Sequence, residues 1–252
     1  MNFDLNHGLL EALRMAGIEQ TPYILCFIGF SLLSLIAGYL LGSVNTAIIV
    51  SKVLYKDDIR RHGSGNAGLT NMFRTYGKGA AGLTLLGDML KTALAIAIGG
   101  CLLGFGYIGG ISIAGDGGVY IAGLFAVVGH IFPCYYKLKG GKGVLVTATM
   151  ALILSPVVFG VLFLVFALIV ALTKYVSLGS VTAAILYPVA LYAYVKICFP
   201  AAPMPGMMAL SSILIAILIV YCHRENLKRI QNRKERQFSF KKKPEHTDED
   251  EK

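Results

Sequence analysis

Long apolar segments occupy most of this sequence and are separated by short polar loops. Only 15% of the residues are charged, compared with about 25% in a typical soluble domain. A membrane-spanning helix requires roughly 20 predominantly apolar residues, and several segments approach or exceed that length. The sequence therefore predicts an all-α, polytopic membrane helix bundle. Its apolar segments cover residues 23–53, 79–103, 119–136, 144–154, 157–173, 178–197 and 207–221.

The distribution of Lys and Arg predicts how the chain crosses the membrane. Basic loops remain in the cytoplasm, and basic residues concentrate in residues 52–78, in residues 137–142 and near the C-terminus. Residues 104–118 contain seven glycines and no Lys or Arg, so this loop is expected outside. Counting residues 144–154 as a short span gives about seven transmembrane helices, with the N-terminus out and the C-terminus in. A re-entrant path for residues 144–173 gives five full spans with the same end orientations.

The polar ends of the chain define three parts. Residues 1–22 form an N-terminal extension, and residues 23–230 form the membrane domain. Residues 231–252 form a charged cytoplasmic tail, whose acidic end is expected to be disordered.

Composition excludes several kinds of site. The five cysteines stand alone without a CxxC pair, so neither a disulfide framework nor a zinc site is predicted, and no other metal-ligand cluster is present. The net charge of +9 fits membrane orientation and attraction to anionic lipid head groups. No nucleic-acid recognition fold surrounds the basic segments, so no nucleic-acid partner is predicted.

The segment KLKGGKG follows an apolar segment directly. Glycines let backbone N–H groups turn toward an anion without obstruction by a Cβ, and a helix expected to begin after the loop would add its N-terminus. We therefore predict a phosphate-binding loop made of Gly140, Gly141, Lys142 and Gly143. It is not a Walker A loop, because Gly143 stands where Ser or Thr would coordinate magnesium.

A second polar loop, within residues 56–78, combines glycines with hydrogen-bonding side chains. Arg74 follows the segment GSGNAGLTN and can hold a phosphate through two parallel N–H bonds. Ordinary hydrophilic loops rarely combine so many glycines with this polar density. The candidate binding residues of this segment are Ser64, Gly65, Asn66, Thr70 and Asn71.

Two further polar pairs flank later spans. Ser177 and Ser180 are three residues apart, so a helix places them on one face, although small hydroxyls also serve helix packing in membranes. His223 and Asn226 have the same spacing directly after the last apolar segment. The alternative interpretation of the segment with His223 and Asn226 is a basic flank that only ends the insertion of the last span into the membrane. Because Lys- and Arg-rich loops stay in the cytoplasm, all four polar segments are predicted on the cytoplasmic side of the membrane. Together their cations, glycines and polar side chains are suited to binding two phosphorylated molecules.

Asp88 and Lys91 lie inside the second apolar segment. Charges at membrane depth are costly and are usually paired or functional. Their i, i+3 spacing permits a direct ion pair, so we expect a structural pair that braces the site. His130, at the end of the next segment, is expected to be a structural histidine.

The order of these motifs along the chain resembles one known family. The GSGN block with Arg74, the Asp88 and Lys91 pair, the GHxxP segment leading into KGGKG, and the HxxN segment all follow its pattern. Over about residues 37–230 the chain is similar to the bacterial membrane acyl-phosphate:glycerol-3-phosphate acyltransferases, the PlsY family.

The resemblance implies a compact bundle of seven transmembrane helices in the bacterial inner (plasma) membrane, with an active site that opens to the cytoplasm. It implies transfer of a fatty acyl group from acyl phosphate to the sn-1 hydroxyl of glycerol 3-phosphate. The products would be lysophosphatidic acid and inorganic phosphate, in the first acylation step of phospholipid synthesis. The donor would be neither acyl-CoA nor acyl carrier protein, and no cofactor is expected.

The resemblance also assigns roles to residues. The acyl phosphate would lie along the GSGN block, and the Lys-Gly loop would hold phosphate. Ser177 would contact the glycerol phosphate that the HxxN segment orients. The implied catalytic residues are Ser64, Arg74, Lys142, His223 and Asn226. The implied substrate-binding residues are Gly65, Asn66, Thr70, Asn71, Gly140, Gly141, Gly143, Ser177 and Ser180.

The acceptor hydroxyl must lose a proton, and two acceptors remain open. One is His223 acting as a general base. The other, which we favour, is a substrate phosphate, because the donor is already activated and no carboxylate that orients His223 is evident. An acyl-enzyme on Ser64 is least favoured, since no neighbouring base activates it.

A transporter or channel for an organic phosphate anion is the alternative function. Transporters usually contain inverted repeats and broken helices near the midplane, whereas the polar loops here cluster on one side. A non-catalytic scaffold docked through its basic tail would leave the glycine loops unexplained.

Overall fold

The computed structural model describes residues 8–104, 117–200 and 206–238, and these residues form helices and connecting segments without a strand. Most of the glycine-rich loop expected outside and the acidic end of the tail lie beyond the described residues. Two short 3-10 turns cover Ile59–Arg61 and Cys134–Tyr136. The α-helices are α1 (Gly8–Met15), α2 (Gln20–Ser43), α3 (Thr46–Leu54), α4 (Leu69–Tyr76), α5 (Lys78–Leu103), α6 (Gly117–Ile131), α7 (Val144–Leu154), α8 (Pro156–Thr173), α9 (Val176–Cys198), α10 (Gly206–Cys222) and α11 (Arg224–Gln231).

Each of the seven predicted apolar segments is helical, the first as two helices, which confirms the all-α membrane bundle. Five helices of the described chain are long and apolar enough to cross a membrane, counting α2 with α3 as one. Helix α10 qualifies as a sixth together with α11, although the two are bent by 51°. Helix α7 has 11 residues, about 16 Å at 1.5 Å per residue, which is short of a full span.

The first apolar segment is not the single helix that the sequence predicted. The chain breaks between α2 and α3, where the Asn45 side chain accepts a hydrogen bond of 3.1 Å from the Ile48 N–H and caps α3. Because of this break, the Val44 carbonyl oxygen has no hydrogen-bond partner within a helix. It accepts instead from the Lys91 ammonium of α5 at 2.8 Å.

The polar segment at residues 56–78 is also more ordered than the loop that we predicted. It contains α4, which starts after Gly68 and buries Asn71, Met72, Thr75 and Tyr76. Arg74 stands on the face of this amphipathic helix roughly opposite to the buried Met72, and its side chain is partly exposed.

Small residues allow α2 and α6 to pack closely. A Cβ atom built at Gly38 or Gly42 of α2 would overlap the backbone carbonyl oxygen of Ala122 or Ala126 of α6, respectively. Small residues are the usual means by which membrane helices approach each other. Helix α6 is therefore held in the centre of the bundle, where its C-terminal end supports the Lys-Gly loop.

We expect Gly42→Ala to lower the thermal unfolding midpoint of the detergent-solubilised protein by several degrees, because overpacking a tight contact costs about 1–3 kcal/mol. Gly29→Ala is the matched control on the same helix, since nothing lies within 4 Å of its Cβ position. Equal midpoints for the two variants would contradict the close approach of α2 and α6.

Candidate active site

One cavity of about 670 Å³ brings the four predicted polar segments together. Helices α4, α7 and α9 and the junction of α10 with α11 surround its polar end. The predicted residues that border it are Ser64, Asn66, Thr70, Asn71, Arg74, Lys142, Gly143, Ser177, Ser180, His223 and Asn226.

The polar end contains a chain of hydrogen bonds that joins four segments of the chain. The Lys142 ammonium donates to the Asn226 side-chain oxygen. The Asn226 amide nitrogen in turn donates to Glu235 Oε1 at 2.7 Å. Ser177 Oγ donates to the same oxygen at 2.8 Å, and Arg229 Nε donates to Glu235 Oε2 at 2.8 Å. These contacts fix the orientation of the Asn226 amide and of the side chains around it.

Glu235 is the functional candidate that the sequence did not reveal. It lies in the segment assigned to the charged tail, which instead folds back against the cavity; the Phe238 N–H, for example, donates to the Lys174 carbonyl oxygen at 2.8 Å. Partial burial raises the pKa of the Glu235 carboxyl, but hydrogen bonds from Asn226, Arg229 and Ser177 outweigh it and hold the pKa below its usual value. The only sequence signal is an isolated acidic residue within a basic run.

The GSGN segment is organised by Asn71. Its side-chain oxygen accepts from the Ser64 N–H at 2.9 Å, and its amide nitrogen donates to the carbonyl oxygens of His62 and Ile59 at 3.0 and 3.3 Å. Asn71 is 1% exposed, and its hydrogen bonds are already made within the protein. Asn71 therefore shapes the loop, while Ser64 is exposed at the cavity.

The Lys-Gly loop differs from the prediction in one respect. Gly140 and Gly141 do not border the cavity, because the Gly140 N–H donates to the Ile131 carbonyl oxygen at 3.1 Å and the Gly141 N–H donates to the His130 carbonyl oxygen at 3.0 Å. The expectation that these two N–H groups face an anion is therefore wrong. Both glycines instead seat the loop against the end of α6.

Gly65 also lies away from the cavity. Its φ of +71° is in the left-handed region that favours glycine, so its role is to turn the GSGN segment. Gly143 has a φ of +79° and does border the cavity, directly before α7. The predicted helix start after the loop is confirmed, and it points the first turn of α7 at the polar end.

Lys142 is largely enclosed by the surrounding segments. Burial lowers the pKa of its ammonium to about 8, although the nearby Glu235 carboxylate opposes the shift. Lys142 is therefore mostly protonated at neutral pH and loses its charge in mildly alkaline solution.

His223 stands where α10 ends and α11 begins. Its Nδ1 lies 2.8 Å from the Ile219 carbonyl oxygen, so Nδ1 carries a proton and Nε2 carries the lone pair. Burial, followed by the positive charge of Lys142, lowers the pKa of the imidazole to about 4. A backbone carbonyl thus orients His223, which stays neutral at pH 7.

The other end of the cavity is apolar and lies deep in the bundle. Along α9 the bordering residues run from Ser177 and Ser180 to Ala184 and Tyr187, a distance of about 15 Å at 1.5 Å per residue. Helices α7 and α8 contribute further apolar side chains along the same direction. The bordering apolar residues of these two helices include Ala148, Ala151, Leu152, Phe159, Leu162, Phe163 and Phe166.

The predicted ion pair inside α5 is confirmed, since Lys91 Nζ lies 2.8 Å from Asp88 Oδ1. Both residues are buried, as is His130. Within the described part of the chain, no group of three or more His, Cys, Asp and Glu side chains is arranged to hold a metal ion.

The fold and the cavity define a polytopic membrane protein whose deep site is cationic at one end and apolar at the other. A family model described as glycerol-3-phosphate acyltransferase matches residues 32–233. The chain belongs to the glycerol-3-phosphate acyltransferase family.

Two relatives described as glycerol-3-phosphate acyltransferases illustrate the similarity. The protein from Syntrophomonas wolfei is 42% identical over 207 residues, which cover 82% of this chain and 96% of the relative. The protein from Streptococcus thermophilus is 38% identical over 209 residues, which cover 83% of this chain and 93% of the relative.

The fold is also similar to crystal structures of PlsY, an integral membrane glycerol 3-phosphate acyltransferase. The glycerol 3-phosphate form has a TM-score of 0.71 and 33% identity, and the match covers 83% of this chain and 96% of that chain. The lysophosphatidic acid form has a TM-score of 0.68 and 32% identity, and the match covers 83% and 95% of the two chains.

We expect binding of inorganic phosphate to weaken as the pH rises, because Lys142, with its pKa of about 8, loses its positive charge. A site that requires the ammonium loses about tenfold in affinity between pH 7 and pH 9. Isothermal titration at several pH values measures this change. In Lys142→Arg the guanidinium remains charged, so its affinity should not fall; parallel pH curves for the two proteins would contradict the role of Lys142.

Proposed function

We propose that this protein transfers a fatty acyl group from acyl phosphate to the sn-1 hydroxyl of glycerol 3-phosphate and releases lysophosphatidic acid and inorganic phosphate. The observation that carries the proposal is the two-part cavity. Its cationic end suits two phosphate groups, and its apolar end suits an acyl chain. The family membership and the ligands named for the two PlsY structures support the same reaction.

Positioning is the first contribution of the protein to this reaction. An acyl phosphate is a mixed anhydride with phosphate as its leaving group, so no covalent intermediate on Ser64 is required. Holding the glycerol hydroxyl near the acyl carbon supplies several kcal/mol of the barrier. Asn226 and Ser177 are suited to orient the acceptor, because Glu235 fixes both side chains.

Charge stabilisation is the second contribution. Negative charge develops on the departing phosphate, and preorganised cations stabilise it most in an enclosed site. Lys142 borders the cavity from the loop before α7, and Arg74 borders it from α4. Together with the first turn of α7, they are the groups that we assign to the leaving phosphate, while Asn66 and Thr70 line the donor side.

The topology follows from the same arrangement. We propose that the cavity opens to the cytoplasm of a bacterial cell, across the inner (plasma) membrane, with the N-terminus out and the C-terminus in. Lys142, just before α7, and Ser177, just after α8, border the same end of the cavity. The chain therefore enters the membrane with α7 and returns with α8 to the same side of the membrane. The basic segments at that end favour the cytoplasmic side. We also propose that the membrane domain extends through residue 238, because Glu235 contacts the site.

Transport of an organic phosphate anion is less well supported. The cations cluster at one end of the cavity, whereas its deep end offers apolar side chains, which do not suit passage of a phosphate. Flux of labelled glycerol 3-phosphate into sealed proteoliposomes separates transport from catalysis.

Purified protein mixed with palmitoyl phosphate and glycerol 3-phosphate should release phosphate and form lysophosphatidic acid, whereas palmitoyl-CoA should not serve as donor. Arg74→Ala and Lys142→Ala should each lower turnover at least about tenfold, because each removes a charge that stabilises the leaving phosphate. Mass spectrometry of the lipid product and a phosphate-release assay measure both outcomes.

The matched controls are Lys139→Ala and Arg224→Ala. Lys139 belongs to the same loop and Arg224 is the neighbour of His223, yet both are exposed and neither borders the cavity. Their turnover should stay near that of the unchanged protein. Equal activity of the control and cavity variants would defeat the assignment, and absence of lysophosphatidic acid would defeat the function.

His223→Gln should retain turnover within about tenfold of the unchanged protein. A histidine whose pKa is about 4 is a weak general base at neutral pH, and glutamine preserves a polar group near the Nε2 position. We therefore assign the proton to a substrate phosphate. A loss of 10²–10⁴-fold, the range typical of removing a general base, would instead identify His223 as the base.

A further inference from the structure

Three buried polar side chains, Asp88, Lys91 and His130, meet beside the break between α2 and α3. Their exposed fractions are 0%, 5% and 3%. The Lys91 ammonium has three acceptors, which are Asp88 Oδ1 at 2.8 Å, the Val44 carbonyl oxygen at 2.8 Å and His130 Nδ1 at 3.0 Å. An ammonium group has three N–H donors, so this arrangement uses all of them.

The cluster determines which nitrogen of His130 carries the proton. An ammonium can only donate, so His130 Nδ1 must accept and the proton must be on Nε2. The side chain is then held by Lys91 on one edge. Asp88 keeps Lys91 in place and itself accepts a hydrogen bond of 3.1 Å from Thr46 Oγ1, which ties the cluster to the start of α3.

The opposite edge of the His130 ring lies against the Lys-Gly loop. A Cβ atom at Gly141 would overlap His130 Nε2, and the Ala67 carbonyl oxygen lies 2.8 Å from the same Cβ position. The Gly141 N–H also donates to the His130 carbonyl oxygen. The backbone immediately before Lys142 is therefore confined between His130 and the GSGN segment.

Stability alone is a poor explanation for this cluster. Buried ion pairs are often replaceable by apolar residues without loss of stability, because desolvation offsets their attraction. Yet the ring that they orient contacts the residue next to Lys142, whose ammonium reaches Asn226 across the cavity.

We propose that Asp88, Lys91 and His130 are positioning residues that hold the Lys-Gly loop so that Lys142 points into the cavity. The orientation of the His130 ring, fixed by Lys91, sets the position of Gly141 and hence of Lys142. The proposal rests on the proposed function in that the phosphate held by Lys142 is a substrate or product of acyl transfer.

The test replaces both charges at once. Asp88→Leu combined with Lys91→Met leaves no unpaired buried charge, so we expect the variant to insert and to unfold within a few degrees of the unchanged protein. Its affinity for inorganic phosphate, measured by isothermal titration, should nevertheless fall at least fivefold. Turnover should fall as well, by at least about fivefold, because Lys142 is the cation assigned to the leaving phosphate.

The control removes an exposed i, i+3 pair that, unlike Asp88, does not border the cavity. Glu225 and Lys228 of α11 are 3.4 Å apart and exposed. Glu225→Gln combined with Lys228→Met should leave phosphate affinity unchanged. If the Asp88 and Lys91 double variant folds and binds phosphate as tightly as this control, the proposal is wrong.

A second measurement does not depend on folding of a variant. In protein labelled with ¹⁵N-histidine, the His130 signals, assigned by their loss in His130→Phe, should show a protonated Nε2 and an unprotonated Nδ1. A proton on Nδ1 would overturn the proposal. If phosphate affinity depends on Asp88 and Lys91 as expected but the protein forms no lysophosphatidic acid, the proposed acyltransferase function is wrong and the positioning role of the three residues still holds.

Discussion

The hydrogen bond from Lys142 to Asn226 joins the Lys-Gly loop to α11, 84 residues further along the chain, and the rest of the site depends on it. A lysine enclosed at the end of a helix bundle needs acceptors, because an unpaired buried cation is costly. Asn226 provides one, and Glu235 holds the Asn226 amide in the orientation that presents its oxygen to Lys142. The cationic end of the cavity is therefore a connected network whose members fix one another.

The same need for partners explains the architecture further inside. Lys91 is buried inside the membrane domain. Its ammonium finds acceptors because α2 ends just before Val44 and α6 ends just after His130. The break between α2 and α3 and the glycine contacts of α2 with α6 bring these acceptors within reach. The break between α2 and α3, the buried ion pair of α5 and the position of the Lys-Gly loop therefore depend on one another, and the cavity lies beside them.

Sequence patterns predicted the helices and most of the polar side chains at the cavity, because apolar length and isolated charges in apolar surroundings are local properties. They did not predict Glu235, whose partners Ser177 and Asn226 come from two other elements. The glycines were misjudged for a similar reason. A glycine allows its N–H to face an anion or to pair with the end of a neighbouring helix, and the neighbours of Gly140 and Gly141 are known only from the fold.

The sequence by itself determined that this chain forms an apolar helix bundle, that its polar segments lie at helix ends and that Asp88 can pair with Lys91, since each follows from spacing along one segment. The tertiary structure decided which loop atoms face the cavity, which groups surround the rings of His130 and His223, and where the folded-back tail lies. Those features depend on contacts between segments far apart in the chain, and hydropathy and helical spacing carry no information about such contacts.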